Sequence, residues 1–339
     1  MNKSILNNTL LFLLSMALMV IIGESFIRLA SFIRPIYNIE MVKYAKALKM
    51  ADPLGEVSHI HRQNTSAKLM GVTISLNNLG NRGKELSTTK SQNTKRILIM
   101  GSSVTLGWGV SQEETFTSIL EQRLNKEKTI HDPRQFEVIN AGIGNYNSYY
   151  QYRLFLRQYS IVQPDMVIFH YFINDAEKNP QRNDNPLLKH SLLFAFLYDK
   201  IALLAFQHKG NKPSLFEFYQ QNYQEDNADF QRSIQSILSV KKICEDLHIP
   251  FALEIVPDFH NLQMNSPYES IYQLIEKTYL QHNIPVINTF KNFQLQFGGK
   301  EKELWIQPDD PHPNQKGHRV MADEIYPYIK NHFFKGNGL

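Results

Sequence analysis

The sequence predicts an α/β fold: a three-layer α/β/α sandwich around a mostly parallel five-stranded sheet. Two observations carry that expectation. From residue 96 onward, short apolar segments alternate with helical segments of ten or more residues, the pattern of a parallel sheet covered on both faces. The residues able to do chemistry, at 101–103, 140–145, 172–175, 258–260 and 309–312, nearly all follow those segments. In open parallel sheets ligands gather at the carboxyl ends of the strands. A chain of 339 residues has ample interior for such a core.

The five strands read in order as "RILIM", "FEVINAG", "PDMVIFHYFIND", "PFALEIVPDFH" and "IPVINTF". Between them lie helical spacings in "EETFTSILEQRLNK", "SYYQYRLFLRQY", residues 229–247 and "YESIYQLIEKTYLQ", and "HRVMADEIYPYIKNHF" closes the chain. The α/β body is thus expected over residues 96–335. The connection over about 176–228 is too long for an ordinary loop, and its apolar stretch "SLLFAFLYDKIALLAF" must cover something. It is expected to be a cap-like insertion, or a helix facing a membrane or partner.

Ahead of the body, residues 1–9 form a short tail and "LLFLLSMALMVII" an uncharged run of 13 residues at 10–22. A span needs roughly 20. With its flanks the run extends to a transmembrane anchor over 10–27; no small-x-small cleavage site marks it as a removed signal peptide. Residues 28–95 are an amphipathic and loop-rich lead-in, interrupted at Pro35 and poor in strands. Arg28, Arg34, Lys43, Lys46 and Lys49 follow the anchor and only Lys3 and the amino group precede it, so the positive-inside rule taken literally puts the body in the cytoplasm.

Composition excludes several classes. The net charge of +4 is dispersed rather than gathered in Lys/Arg blocks, which argues against nucleic acid as a partner. No CxxC, HExxH or His/Cys cluster has metal-ligand spacing, so neither a metal nor a cofactor is expected. The single cysteine, Cys244, lies on a helix as a buried thiol and can form no internal disulfide.

The chemistry centres on D-D-P-H at 309–312. A carboxylate three residues before a histidine on a tight turn can hold one ring nitrogen and leave the other as a base. Asp309 and His312 form that pair, with Asp310 as an adjacent competitor. The nucleophile is Ser103, at the abrupt end of the first strand where a helix start holds the hydroxyl exposed. The chain order Ser, Asp, His suits a triad on an open α/β sheet. Asn174, ending the third strand, offers an amide to a developing oxyanion. His170 reads as a core residue, His318 as a packing residue and Asp175 as structural.

Four blocks in register resemble the SGNH hydrolases, also called the GDSL esterase and lipase family: "ILIMGSSVTLGWGV", "VINAGIGNYNS", "VIFHYFIND" and the Asp-x-x-His of Asp309 to His312. The resemblance covers residues 96–325 and implies the flavodoxin-like fold of that family. It implies catalysis by Ser103, Asp309 and His312, and an oxyanion hole of the Ser103 and Asn145 backbone N–H groups with the Asn174 amide. Ser102 stands where the family has aspartate, Asn145 where it has glycine, and Phe172 where glycine is common. Trp108, Phe172 and His260 are candidate substrate contacts. An N-terminal membrane helix, "NNLGNRGKE" and "PDFH" are similar to a membrane-anchored bacterial subset acting on envelope carbohydrates. The resemblance therefore implies a serine esterase removing O-acetyl or other short acyl groups from a carbohydrate. Its body would be periplasmic or extracellular, against the charge tally. The alternatives are an O-acyltransferase for an envelope glycan and a non-catalytic carbohydrate-binding or assembly component of a polysaccharide machinery.

Overall fold

The computed structural model describes residues 3–127, 133–182, 185–208 and 214–334. The chain divides into two compact units. One comprises Met1–Ala47, Leu69–Gly71 and Asn183–Lys212, and the other Leu48–Lys68, Val72–Arg182 and Pro213–Leu339.

In the larger unit, five strands form one all-parallel sheet: β1 (Thr94–Gly101), β2 (Gln135–Gly142), β3 (Met166–Phe172), β4 (Phe251–Val256) and β5 (Val286–Asn288), in the order β2-β1-β3-β4-β5. All five expected strands are present. β1, β3 and β4 are almost wholly buried, as strands packed on both faces must be, which explains why they read as continuous apolar runs rather than alternations. The chain steps from β1 outward to β2 and then back past β1 to β3. Right-handed crossovers therefore put the two connecting helices on opposite faces. Accordingly α4 (Phe116–Lys126), from the first crossover, packs with the closing helix (Gln315–Phe334), and α5 (Ser148–Val162), from the second, packs with α9 (Ala228–Asp246). The reversal of direction at β1 opens a crevice at the carboxyl ends of β1 and β3.

The lead-in is built into this unit, so the compact body begins at Leu48 rather than near 96. Lys49–Met50 pairs antiparallel with Ile60–His61, and Val72–Leu76 pairs with Thr65–Leu69. Asn81 and Arg82 are buried. Polar Asn, Gly and Arg residues look like solvent-facing loop, but here Asn77 Oδ1 accepts the backbone N–H groups of Leu79 and Asn81 in a tight turn.

The smaller unit contains α1 (Lys3–Ile33), α2 (Tyr37–Ala47), α6 (Pro186–His190) and α7 (Leu192–His208). Within α1, Ser4–Ile33 is long and apolar enough to cross a membrane, and its residues are mostly exposed. At 1.5 Å per residue its 30 residues reach about 45 Å, beyond the ~30 Å hydrocarbon core. The helix stops just before Pro35, as expected. Glu24 accepts hydrogen bonds from Ser191 Oγ (2.9 Å), Leu192 N (3.1 Å) and Leu193 N (2.9 Å), satisfying the first turn of α7. Gly23 lets the two helices approach, since a Cβ there would lie 2.9 Å from Leu193 Cδ2.

The long connection after β3 is therefore not one cap. Its α6 and α7 belong with the N-terminal helices, whereas α8 (Leu215–Asn222) belongs to the larger unit, where Tyr219 is buried and its hydroxyl donates to Glu177.

Candidate active site

Ser103 opens α3 (Ser103–Leu106), a single turn that begins two residues after β1. Two glycines make this abrupt exit possible. Gly107 ends the turn at φ +75°, a conformation L side chains rarely adopt. Gly142, at the end of β2, lies so close to α3 that a Cβ would meet the Leu106 nitrogen at 2.2 Å. The carbonyls beyond α3 are held by Arg82, whose guanidinium donates to Leu106 O (2.7 Å), Gly107 O (2.6 Å) and Val110 O (2.6 Å). Ser102, the neighbour in the motif, is fully buried and Ser103 is half-buried, so of the two hydroxyls only that of Ser103 is open to an incoming group.

His312 Nε2 lies 2.9 Å from Ser103 Oγ, and His312 Nδ1 lies 2.6 Å from Asp310 Oδ1. The carboxylate beside the histidine is thus Asp310, not Asp309. The reason is local geometry. Asp310–Pro313 is an extended strand paired with Trp305–Gln307, and on such a segment residues two apart share a face whereas residues three apart do not. Asp309 stays exposed. Asp310 is fully buried; its Oδ1 also accepts the His312 backbone N–H (3.1 Å) and its Oδ2 accepts Trp108 Nε1–H (3.1 Å). Burial alone would push the Asp310 carboxyl up. The bonds and charge of His312, with Trp108's donation, outweigh it and hold the group below the ordinary carboxylate range.

Trp108 is only 1% exposed. It cannot line an acyl or sugar pocket; its indole fixes the second oxygen of Asp310. Phe172 is half-buried against the core at the end of β3, and its backbone N–H donates to Asp175 Oδ2 (2.7 Å). Asp175 also accepts from Ser148 Oγ and Gln151 Nε2, which secures the turn carrying Asn174. Asn174 Oδ1 is buried with no hydrogen-bond partner among the described residues. Asn145 is exposed at φ +68°, the left-handed conformation asparagine tolerates best after glycine. The backbone N–H groups of Ser103 and Asn145 have no acceptor among the described residues. Ser103, Asn145 and Asn174 therefore follow three adjacent strands, each with an uncommitted polar group.

His260 repeats the arrangement of His312. Asp258 Oδ1 accepts both its backbone N–H (2.8 Å) and lies 2.8 Å from its Nδ1, which raises the imidazole pKa above its ordinary value. The His260 ring is exposed and meets the edge of Trp305, 5.5 Å away, and Trp305 is paired with Pro313 next to His312. His170 and His318 are buried on either side of Phe116, at ring separations of 5.0 and 5.8 Å. Burial pushes the Cys244 thiol up to about 12, which leaves it inert.

A hydroxyl, an imidazole and a buried carboxylate in line can pass a proton from Ser103 to His312 and stabilise the resulting imidazolium. Comparisons with known proteins bear on what such a relay is for. No curated protein sequence matches this one. Among solved structures, an acetyl xylan esterase, AlAXEase, is 16% identical, with 69% of this chain and 99% of that one covered at a TM-score of 0.42. A two-domain esterase active on acetylated mannans is 17% identical, with 70% of this chain and 49% of that one covered at 0.43. A lipase/acylhydrolase from Enterococcus faecalis is 14% identical, covering 70% and 96% at 0.43. Residues 99–320, about two thirds of the chain, match the GDSL-like Lipase/Acylhydrolase family. That span holds the serine turn, the strand ends and the Asp310–His312 strand, and the chain belongs to this family of serine hydrolases acting on esters.

Proposed function

We propose that this protein is a serine esterase that removes O-acetyl or other short acyl groups from a carbohydrate, with Ser103 as nucleophile, His312 as general base and Asp310 as its orienting carboxylate. The observation that carries the reading is the unbroken line of contacts from Ser103 Oγ through His312 to Asp310, at 2.9 and 2.6 Å. His312 Nε2 takes the Ser103 proton as Oγ attacks the ester carbonyl. The carbonyl oxygen gains the charge and is held by the N–H groups of Ser103 and Asn145 and the side-chain amide of Asn174. These contacts strengthen as charge develops, so they favour the transition state over the bound ester. His312 then returns the proton to the departing sugar oxygen, and water, activated by the same imidazole, releases the acyl group.

His260 and Trp305 lie near His312 and offer an imidazole and an aromatic face to a sugar ring. We assign α1 as the membrane anchor, residues from Leu48 as the start of the catalytic body, and the outer side of the membrane as its location, in keeping with the family resemblance.

The test uses the full chain in detergent with p-nitrophenyl acetate and acetylated xylan and mannan oligosaccharides. Ser103→Ala is expected to abolish ester cleavage and fluorophosphonate labelling, while Ser102→Ala still labels. Labelling that survives Ser103→Ala refutes the nucleophile. Glycan acetylation that requires an acceptor sugar, without release of free acetate, refutes hydrolysis in favour of transfer.

A further inference from the structure

The Gly144 carbonyl and the Asn145 N–H belong to one peptide unit, and in a trans peptide they point in opposite directions. No cis peptide bond occurs among the described residues. Two side chains from the lead-in grip the carbonyl. Lys49 Nζ donates to Gly144 O at 2.7 Å, and His59 Nε2 lies 3.1 Å from the same oxygen. Because a carbonyl only accepts, His59 must carry its hydrogen on Nε2, so the Ser58 hydroxyl, 2.8 Å from Nδ1, is the donor there. Burial depresses the His59 pKa to about 3, so the ring donates as neutral imidazole. Its backbone carbonyl in turn accepts the Tyr146 hydroxyl at 2.7 Å, and the two rings meet edge to face at 5.2 Å. Lys49 is set in place by the short ribbon that pairs it with His61.

We infer that Lys49 and His59 are positioning residues for the oxyanion hole: by pinning the Gly144 carbonyl they turn the Asn145 N–H toward the reacting carbonyl and make it a stronger donor. The inference rests on the esterase reading above. Three features support it. Asn145 sits at φ +68°, a left-handed conformation that asparagine tolerates and that the gripped carbonyl before it helps to hold. The N–H on the far side of the gripped peptide has no acceptor among the described residues. Hydrogen bonds to a peptide oxygen polarise the N–H of the same unit, so the chain from Ser58 through His59 to Gly144 strengthens the last donor in the series. Burial pulls the Lys49 pKa down to about 7, so below that pH its positive charge acts in the same direction. Its effect is greatest when the oxyanion forms, so it acts on kcat rather than on binding of the neutral ester.

The test compares full-length wild type with Lys49→Met, Lys49→Arg and His59→Gln, using p-nitrophenyl acetate turnover, inhibition by an aryl boronic acid that forms an anionic tetrahedral adduct on serine, and urea unfolding. Lys49→Met is expected to lower kcat by about 10- to 100-fold, short of the ~10²–10³ that outright loss of an oxyanion donor costs. KM should change less than threefold, and the boronate inhibition constant should rise by the same factor as kcat falls. Lys49→Arg, which keeps a cationic donor, should recover most of the loss, and His59→Gln, which keeps a neutral N–H, should lose less than tenfold. Lys49→Met with kcat within threefold of wild type overturns the inference. So does a loss shared between kcat and KM with boronate binding unchanged, which marks a purely structural contact. If Lys49→Met does not fold, the comparison of Lys49→Arg and His59→Gln with wild type decides on the same two readouts. A wild type inert to both ester and fluorophosphonate removes the esterase reading and this inference with it, whereas an active wild type with indifferent variants removes the inference alone.

Discussion

Exchanging Asp310 for asparagine separates the charge of the carboxylate from its shape. The two oxygens of Asp310 accept from three donors: the His312 ring and backbone nitrogens at Oδ1 and the Trp108 indole at Oδ2. An asparagine oxygen placed toward His312 keeps two of those bonds and opposes its NH₂ to the indole N–H. The reverse placement loses two and forces the imidazole into the tautomer that cannot take the Ser103 proton, so the first is favoured. What then disappears is the negative charge facing the imidazolium of the transition state. A unit charge at about 4 Å in a medium of effective dielectric ~20 contributes about 4 kcal/mol. At 1.36 kcal/mol per decade this is a loss of about 10³ in kcat. Asp309→Asn, at an exposed residue whose side chain makes no hydrogen bond or ion pair among the described residues, is expected to change kcat less than threefold. The assay is p-nitrophenyl acetate hydrolysis by both variants at saturating ester, with urea unfolding to confirm that each is folded. Asp310→Asn within tenfold of wild type, or Asp309→Asn as damaging as Asp310→Asn, refutes the assignment.

Two further predictions concern stability. Arg82→Met strips donors from the carbonyls of Leu106, Gly107 and Val110; Gly107 O keeps the Val110 N–H, so at ~1–3 kcal/mol for each of the two buried acceptors left unpaired the chain should lose about 2–6 kcal/mol in urea unfolding, and a loss below about 1 kcal/mol contradicts that accounting. Burial pushes His59, His61 and His318 each down to about 3 from an ordinary 6.5. Between those values the unfolded chain binds protons that the folded one does not, so stability falls on acidification from about pH 6.5 toward 3, by up to ~1.4 kcal/mol per pH unit for each histidine. His318→Asn should flatten that dependence measurably between pH 6.5 and 4.5, and a slope equal to that of wild type sinks the argument.

How much of this could be seen in the letters alone depended on distance along the chain. The five strands, the exit turn at Ser103 and the partnership of His312 with a neighbouring acid are local patterns, and local patterns survive in one dimension. Asp310 rather than Asp309 was not legible, because the choice turns on whether 310–313 is a tight turn or an extended strand, and that is decided by pairing with Trp305–Gln307. Trp108 reads as a pocket residue until its indole is found against a carboxylate 202 residues away. Lys49 and Arg82 look like ordinary surface cations in a polar lead-in, and their acceptors are backbone oxygens, which leave no mark on the sequence. The same holds for α7, whose apolar run announces that it needs neighbours but not that they are α1 and α2.

The bond between Glu24 and the start of α7 spans 168 residues, which has a consequence in time. At synthesis rates of about 5–20 residues per second, the acid waits roughly 10–30 s before the N–H groups it will accept have been made. Through that interval α1 carries a carboxylate whose eventual partners do not exist. Arg28, one helical turn further on and 2.6 Å from Glu24, is already present, so the pair travels as a neutral unit until the later helix arrives to share it.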